Sequence, residues 1–203
     1  MIAIIDYGVG NLRSVEKAFH FINAEAVVSS DAEFIRKADA VVLPGVGAFF
    51  DAMESLRKAG MEEVVKKVIS EGKPFLGICL GMQLLFDYSE EGNEEVKGLG
   101  IFKGAIKQLP SNMNLKVPHM GWNSIMTKKD SLLFRGLPEI PYVYFVHSYY
   151  LEAVDKEIVS ATTSYGIDFD VAISKGNVFA TQFHPEKSGE IGLTILKNFI
   201  KVI

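Results

Sequence analysis

Only one cysteine, Cys79, occurs in the 203 residues. No internal disulfide framework is available, and four scattered histidines give no Cys/His cluster spaced to hold zinc, so no metal and no cofactor is expected. Positive charge is short as well: 21 Lys and Arg against 25 Asp and Glu leave a net charge of −4. Without a basic stripe to neutralise a phosphate backbone, nucleic acid is not an expected partner. Long apolar runs are missing. The most extended one, Phe75 to Phe86, is interrupted by Gln83 and falls short of the roughly 18–20 residues that a bilayer crossing needs, so no membrane span is expected. Met1-Ile2-Ala3-Ile4-Ile5 runs straight into Asp6 with no basic leader or small-residue cleavage site, which points to the cytoplasm. Nor is there an internal repeat, a low-complexity tract or a linker-like Pro/Ser run. What remains is an ordinary globular composition, 48% hydrophobic and 23% charged, expected to form one domain over residues 1–203.

The first half alternates short apolar runs with helical patterns: Ile2–Ile5, Asn11–Asn23, Ala26–Ser29, Ala40–Leu43, Met61–Ile69 and Phe75–Ile78. That alternation predicts βαβ units around a parallel sheet. Leu12, Val15, Phe19 and Ile22 recur at helical spacing, as do Met61, Val64, Val65, Val68 and Ile69, so each stripe is expected to lie on the sheet. Past about residue 95 the runs shorten and are broken by Gly and Asn. Lys103-Gly104 and Gly176-Asn177 read there as hairpin turns, so an antiparallel extension is expected. Ser188 reads as the cap of a closing helix with Ile191, Ile195, Leu196, Phe199 and Ile200 on its apolar face. The acidic stretch Ser89–Glu95 reads as a loop. The expected class is α/β, with a mostly parallel central sheet flanked by helices and extended by antiparallel strands.

The sharpest chemical feature is Gly77-Ile78-Cys79-Leu80-Gly81, set between the strand Phe75–Ile78 and the helix-like Met82–Phe86. A lone cysteine is ordinarily a small core residue. Between two glycines at a strand-to-helix turn it is instead placed as a nucleophile: the backbone bends sharply, the side chain stands proud, and peptide dipoles favour a thiolate. A thiol nucleophile needs an imidazole to take its proton and a third group to orient that imidazole. His184-Pro185-Glu186 offers both at the end of the strand Val178–Phe183; in an extended segment residues two apart point the same way. Acyl transfer also needs oxyanion donors. The N–H of Leu80, next after the nucleophile, is one, and the turn Pro44-Gly45-Val46-Gly47 is a source of the second. Gly8-Val9-Gly10 and Gly45-Val46-Gly47 do not complete a dinucleotide fingerprint, because Arg13 and Phe50 stand where a third glycine belongs. His20 reads as structural, while His119 and His147, in aromatic surroundings, read equally as core histidines or as pocket lining.

Gly77-Ile78-Cys79-Leu80-Gly81 and His184-Pro185-Glu186, in that order, resemble the class I, or triad-type, glutamine amidotransferases. Further stretches are similar to one branch of that family, the glutaminase subunits that feed a (β/α)8 cyclase in histidine biosynthesis. They are Asp6–Asn11, Leu43–Phe49, Pro118–Asn123, Tyr144–Tyr149 and His184–Ser188. The resemblance implies hydrolysis of L-glutamine to glutamate and ammonia through a glutamyl thioester on Cys79. His184 would act as base and then acid, oriented by Glu186. It further implies an oxyanion hole from Gly45, Val46, Gly47 and Leu80, and glutamine held by Gly47, Gln83, Glu91, Ser148 and Tyr149. Asn11, Trp122, Tyr144 and Lys187 would face the cyclase, whose binding would reorient a peptide in Gly45-Val46-Gly47. Two other readings share these residues: a self-sufficient cysteine amidase or hydrolase, and a glutaminase serving a different acceptor enzyme.

Overall fold

The computed structural model describes residues 1–92, 96–110, 115–128 and 130–203. The alternating first half folds as β1 (Ile2–Ile5), α1 (Leu12–Phe21), β2 (Ala26–Ser29), α2 (Ala32–Lys37), β3 (Ala40–Gly45), α3 (Phe49–Lys58), α4 (Met61–Ser70), β4 (Phe75–Cys79) and α5 (Leu80–Gln83). Short strands follow: β5 (Tyr88–Ser89), β6 (Val96–Lys97), β7 (Gly104–Gln108), β8 (His119–Ser124) and β9 (Met126–Thr127). The chain then forms β10 (Tyr142–His147), β11 (Tyr149–Ala153), β12 (Val159–Tyr165), β13 (Ile167–Lys175), β14 (Val178–Thr181) and α6 (Gly189–Ile200).

The main sheet runs in the order β2-β1-β3-β4-β14-β13-β11-β7-β5-β6, with β12 pairing β13 and β9. From β2 to β14 every pairing is parallel. From β14 through β13 and β11 to β7 every pairing is antiparallel. β8 and β10 form a separate antiparallel pair, with Tyr144 opposite Trp122 and His147 opposite His119. Side chains of a strand alternate between its faces, so β1 divides its residues between two cores. Ala3 and Ile5 pack with α3 and α4 through Met53, Leu56, Val64 and Val68. Ile2 and Ile4 pack with α1 and α6 through Val15, Phe19, Ile195 and Phe199. The helical stripes read from the sequence are the buried faces of α1 and α4.

Several local expectations are corrected. Ala32–Lys37 is helical although its pattern is too short to read: the Asp31 carboxylate accepts from Glu33 N at 2.8 Å and Phe34 N at 3.2 Å, and only Ile35 is buried. Lys103-Gly104 is not a hairpin turn. Gly104 opens β7 and lies so close to the neighbouring chain that a Cβ there would sit 2.8 Å from the Glu152 carbonyl oxygen. Gly176-Asn177 does turn between β13 and β14. Ser188 precedes α6 but makes no side-chain cap; its hydroxyl donates to the His184 carbonyl at 2.6 Å and accepts from Tyr144 N at 3.0 Å. Of the expected loop Ser89–Glu95, Ser89 belongs to β5 and residues 93–95 lie outside the described residues.

Candidate active site

The register of the parallel strands decides where the chemistry sits. Gly45 at the end of β3 lies opposite Cys79 at the end of β4, and Ile78 lies opposite Thr181 at the end of β14. Three strands therefore open at their carboxyl ends onto one place, the position where ligands bind in open α/β sheets. At Cys79 the chain turns with φ 56° and ψ −113°, a conformation that a non-glycine residue holds only under strain of about 1–3 kcal/mol. Neighbouring glycines give the turn its room. A Cβ on Gly81 would lie 1.8 Å from the Leu43 carbonyl oxygen, and one on Gly77 would lie 2.9 Å from the Gly81 carbonyl oxygen. The helix after the turn, α5, is a single turn spanning Leu80–Gln83, shorter than the Met82–Phe86 pattern suggests. Its contribution to holding a thiolate is correspondingly small.

His184 supplies the larger electrostatic effect. Its Nδ1 is 2.8 Å from Glu186 Oε1, and both side chains are almost wholly buried. The pairing arises differently from the expected extended segment. His184 is extended at φ −99° and ψ 98°, and Pro185–Lys187 then forms a 3-10 turn that brings Glu186 back beside the ring. The histidine backbone is clamped to β10, since His184 N donates to the Tyr144 carbonyl at 3.0 Å. Burial by itself pulls the imidazolium pKa down, but the sulfur of Cys79 and the Glu186 carboxylate outweigh it and push it up to about 10. Nε2, the nitrogen that Glu186 leaves free, is buried and has no conventional hydrogen-bond partner. It is the atom available to the thiol.

Cys79 and His184 open into a cavity of about 430 Å³ lined also by Val46, Gly47, Leu80, Gln83, Glu91, Ser148 and Tyr149. Every residue expected to hold glutamine is on that lining. Of the expected oxyanion donors, Leu80 begins α5 and so has an N–H without an intrahelical acceptor. Val46 and Gly47 line the wall, with Gly47 at φ +94°. Gly45 lies beneath, where a Cβ would be 2.9 Å from Leu80 Cβ. The Glu91 carboxylate accepts from Phe49 N at 2.6 Å, tying the glutamine wall to the start of α3. Gln83 presents its amide nitrogen to the Tyr149 carbonyl at 3.2 Å and to Gln182 Oε1 at 2.8 Å, which leaves its oxygen for a bound substrate.

Over residues 3–203 the sequence matches the family model for the class-I glutamine amidotransferases. The chain belongs to that family. Among proteins similar to this amidotransferase is "Imidazole glycerol phosphate synthase subunit HisH" of Caldanaerobacter subterraneus subsp. tengcongensis, 55% identical over all of this chain and 98% of that protein. The subunit of the same name from Moorella thermoacetica is 50% identical over all of this chain and 95% of its own length. The fold is shared with PurLQS from Thermotoga maritima (TM-score 0.75, 19% identity, 99% of this chain and 97% of that one). It is also shared with the glutaminase domain of Trypanosoma brucei CTPS (TM-score 0.66, 17% identity, 98% and 93%).

Three of the four expected partner-facing residues of the amidotransferase are gathered on one face. Trp122 is 57% exposed and meets Tyr144 edge-on at 6.1 Å, and Lys187 Nζ stands 6.0 Å from the centre of the Tyr144 ring. Asn11 is exposed at the start of α1. His20 is structural, its Nε2 lying 2.8 Å from the Ala26 carbonyl oxygen. Sequence reasoning did not single out Tyr7, whose hydroxyl donates to the Pro44 carbonyl at 3.0 Å. Burial and the neighbouring Cys79 hold that phenol well above the usual tyrosine range. His119 and His147 form a buried pair: His119 Nδ1 to His147 Nε2 is 2.9 Å and His147 Nδ1 to the Tyr149 carbonyl is 2.8 Å. The Tyr149 carbonyl takes the Nδ1–H of His147, whose Nε2 then accepts from His119 Nδ1, and the Asn123 amide donating to His119 Nε2 at 3.4 Å leaves both rings neutral; burial holds the two pKa values down at about 4 and about 3. Gln182, wholly buried beside Cys79, was also missed.

Proposed function

We propose that this amidotransferase is the glutaminase subunit of an imidazole glycerol phosphate synthase, hydrolysing L-glutamine in the cytoplasm and passing ammonia to a (β/α)8 cyclase subunit for histidine biosynthesis. The observation that carries the reading is that Cys79 and His184 open onto one cavity while Glu186, behind the ring, lies 2.8 Å from His184 Nδ1. The relatives' names supply the acceptor pathway.

Glutamine enters with its side-chain amide toward Cys79. Its α-ammonium pairs with Glu91, and Gln83 Oε1, Ser148 and Tyr149 complete the polar grip. The Cys79 sulfur attacks the amide carbon as the thiol proton resides on His184 Nε2, and the carbonyl π electrons move onto oxygen. Leu80 N–H and a peptide of Gly45-Val46-Gly47 stabilise that oxyanion. As the carbonyl reforms, the C–N bond breaks and nitrogen takes the proton from His184, leaving as ammonia. Water then attacks the thioester with His184 as base, and the C–S bond breaks to give glutamate and the thiol. Glu186 keeps the ring oriented and compensates its charge throughout. The aromatic face formed by Trp122 and Tyr144, with Lys187, receives the cyclase, as large amphipathic anchors do at interfaces. Docking there reorients the Gly45–Gly47 peptide and so switches the oxyanion hole on.

The test is glutamate release from L-glutamine by the chain alone and with the cyclase subunit plus its nucleotide ligand. A large rise on adding the partner supports the proposal. Full turnover by the isolated chain makes it a self-sufficient hydrolase instead.

A further inference from the structure

Gln182 lies between the expected nucleophile and the glutamine wall, and nothing in the mechanism above uses it. Its side chain is wholly buried, with Nε2 3.6 Å from Cys79 Sγ and Oε1 2.8 Å from Gln83 Nε2. The two ends of an amide look alike in shape, so the direction in which Gln182 points has to be deduced from its neighbours. The deduction starts at the Tyr149 carbonyl, which can only accept. It takes one hydrogen bond from His147 Nδ1 at 2.8 Å and a second from Gln83 Nε2 at 3.2 Å. Gln83 must therefore turn its NH2 toward Tyr149, and the same NH2 meets Gln182, which must answer with its oxygen. That leaves the NH2 of Gln182 facing the sulfur. A fixed peptide carbonyl thus sets the polarity of two side-chain amides in series, and the series ends in a donor aimed at the reacting atom.

We propose that Gln182 is a further catalytic residue of this site, whose amide N–H, oriented through Gln83 by the Tyr149 carbonyl, donates to the Cys79 sulfur and holds it as a thiolate directed into the cavity. This deepens the reading of Cys79 as nucleophile and rests on it. A hydrogen bond gains strength when its acceptor is ionised, so the contact favours the attacking form over the thiol. It also restrains a side chain whose backbone is already strained at φ 56°. His184 stores the proton and Gln182 stabilises the charge left behind.

The experiment measures alkylation of Cys79 by iodoacetamide in the purified full chain at pH 7 and at pH 9.5, for wild type, Gln182→Met, Gln182→Glu and Gln83→Leu. The ratio of the two rates cancels any change in access to the sulfur and reads how readily the thiolate forms. Gln182→Met keeps length and volume without the donor, and the ratio should fall by about five- to tenfold, the scale of one charge-assisted hydrogen bond. Gln182→Glu places a carboxylate beside the sulfur, and the fall should be larger. Gln83→Leu leaves Gln182 in place but frees its amide to turn, and the fall should be smaller. With the cyclase present, Gln182→Met should lower kcat while KM for glutamine stays within about twofold, because the side chain touches the nucleophile and not the substrate. A wild-type ratio in Gln182→Met overturns the proposal. Where that variant does not fold, a wild-type ratio in Gln83→Leu does so. Loss of the nucleophile reading would show separately, as glutamate release that persists in Cys79→Ala.

Discussion

The two sides of the cavity are built by opposite means. On one side the parallel strands β3 and β4 pack backbone against backbone: Gly45, Gly77 and Gly81 have no room for a Cβ, and Cys79 is held in a strained turn. On the other side β10 and β11, with β8, form antiparallel strands whose side chains do the work. One face of the β8–β10 pair buries His119, Phe145 and His147, and the opposite face exposes Met120, Trp122 and Tyr142. Around Cys79 the main chain is close-packed, whereas the β8–β10 pair buries one row of side chains and exposes the other to solvent.

Five tests probe this contrast. The largest effect belongs to the nucleophile: Cys79→Ala should lower partner-stimulated glutamate release by at least about 10⁴-fold, while binding to the cyclase persists in a pull-down. Next come two glycine-to-alanine changes read by urea denaturation. Gly81→Ala drives a Cβ into the Leu43 carbonyl and should cost about 3–5 kcal/mol or prevent folding. Gly121→Ala, in the wall at φ +125° with open space around it, should cost only about 1 kcal/mol of backbone strain. Equal costs would erase the distinction between the two sides. Glu186→Gln keeps the shape of the triad but withdraws the charge that compensates the imidazolium, and kcat should fall about 10³-fold with little change in KM.

The fourth test uses acid. His119 and His147 are neutral when folded, with pKa values of about 4 and about 3 against 6.5 in the unfolded chain. Between pH 6.5 and these values the unfolded state binds more protons, so stability falls as pH falls. Between pH 7 and pH 5 each ring should cost about 2 kcal/mol, about 4 kcal/mol together, because both folded values lie below pH 5. Replacing both by glutamine should flatten that slope. His184 has the opposite sign: with its pKa pushed up to about 10, its contribution is complete below pH 6.5 and is lost as pH rises through 10. The smallest effect is expected at the exposed rim, where Trp122→Ala should weaken cyclase binding about tenfold by titration calorimetry and leave the melting temperature unchanged, the ring being 57% exposed.

The parallel half was readable in the sequence because its signals are local. Strand-helix alternation and the glycines around Cys79 are recorded in adjacent residues, and the stripes of α1 and α4 emerged as their buried faces. His184 and Glu186 do lie side by side, but a 3-10 turn and not the expected extended segment joins them. Helix α2 escaped because one buried residue in six makes no period. Gln182 was invisible for a deeper cause. Its orientation depends on Gln83 and on a carbonyl at Tyr149, contributed by segments far apart in the chain, and no spacing rule records such a relay. The Ser188 hydroxyl misled in the same way: it stands where a cap belongs yet bonds the His184 carbonyl and Tyr144 N.

In the proposed mechanism amide nitrogen leaves glutamine as a covalent intermediate forms on the tightly packed side of the cavity. Acid quenching of the chain turning over glutamine with its cyclase partner, followed by mass spectrometry of the peptide that carries Cys79, tests it directly. The expected result is a glutamyl adduct on Cys79 that disappears at high pH as the thioester hydrolyses. Steady glutamate release with no adduct, or the same release from the Cys79→Ala chain, would contradict it.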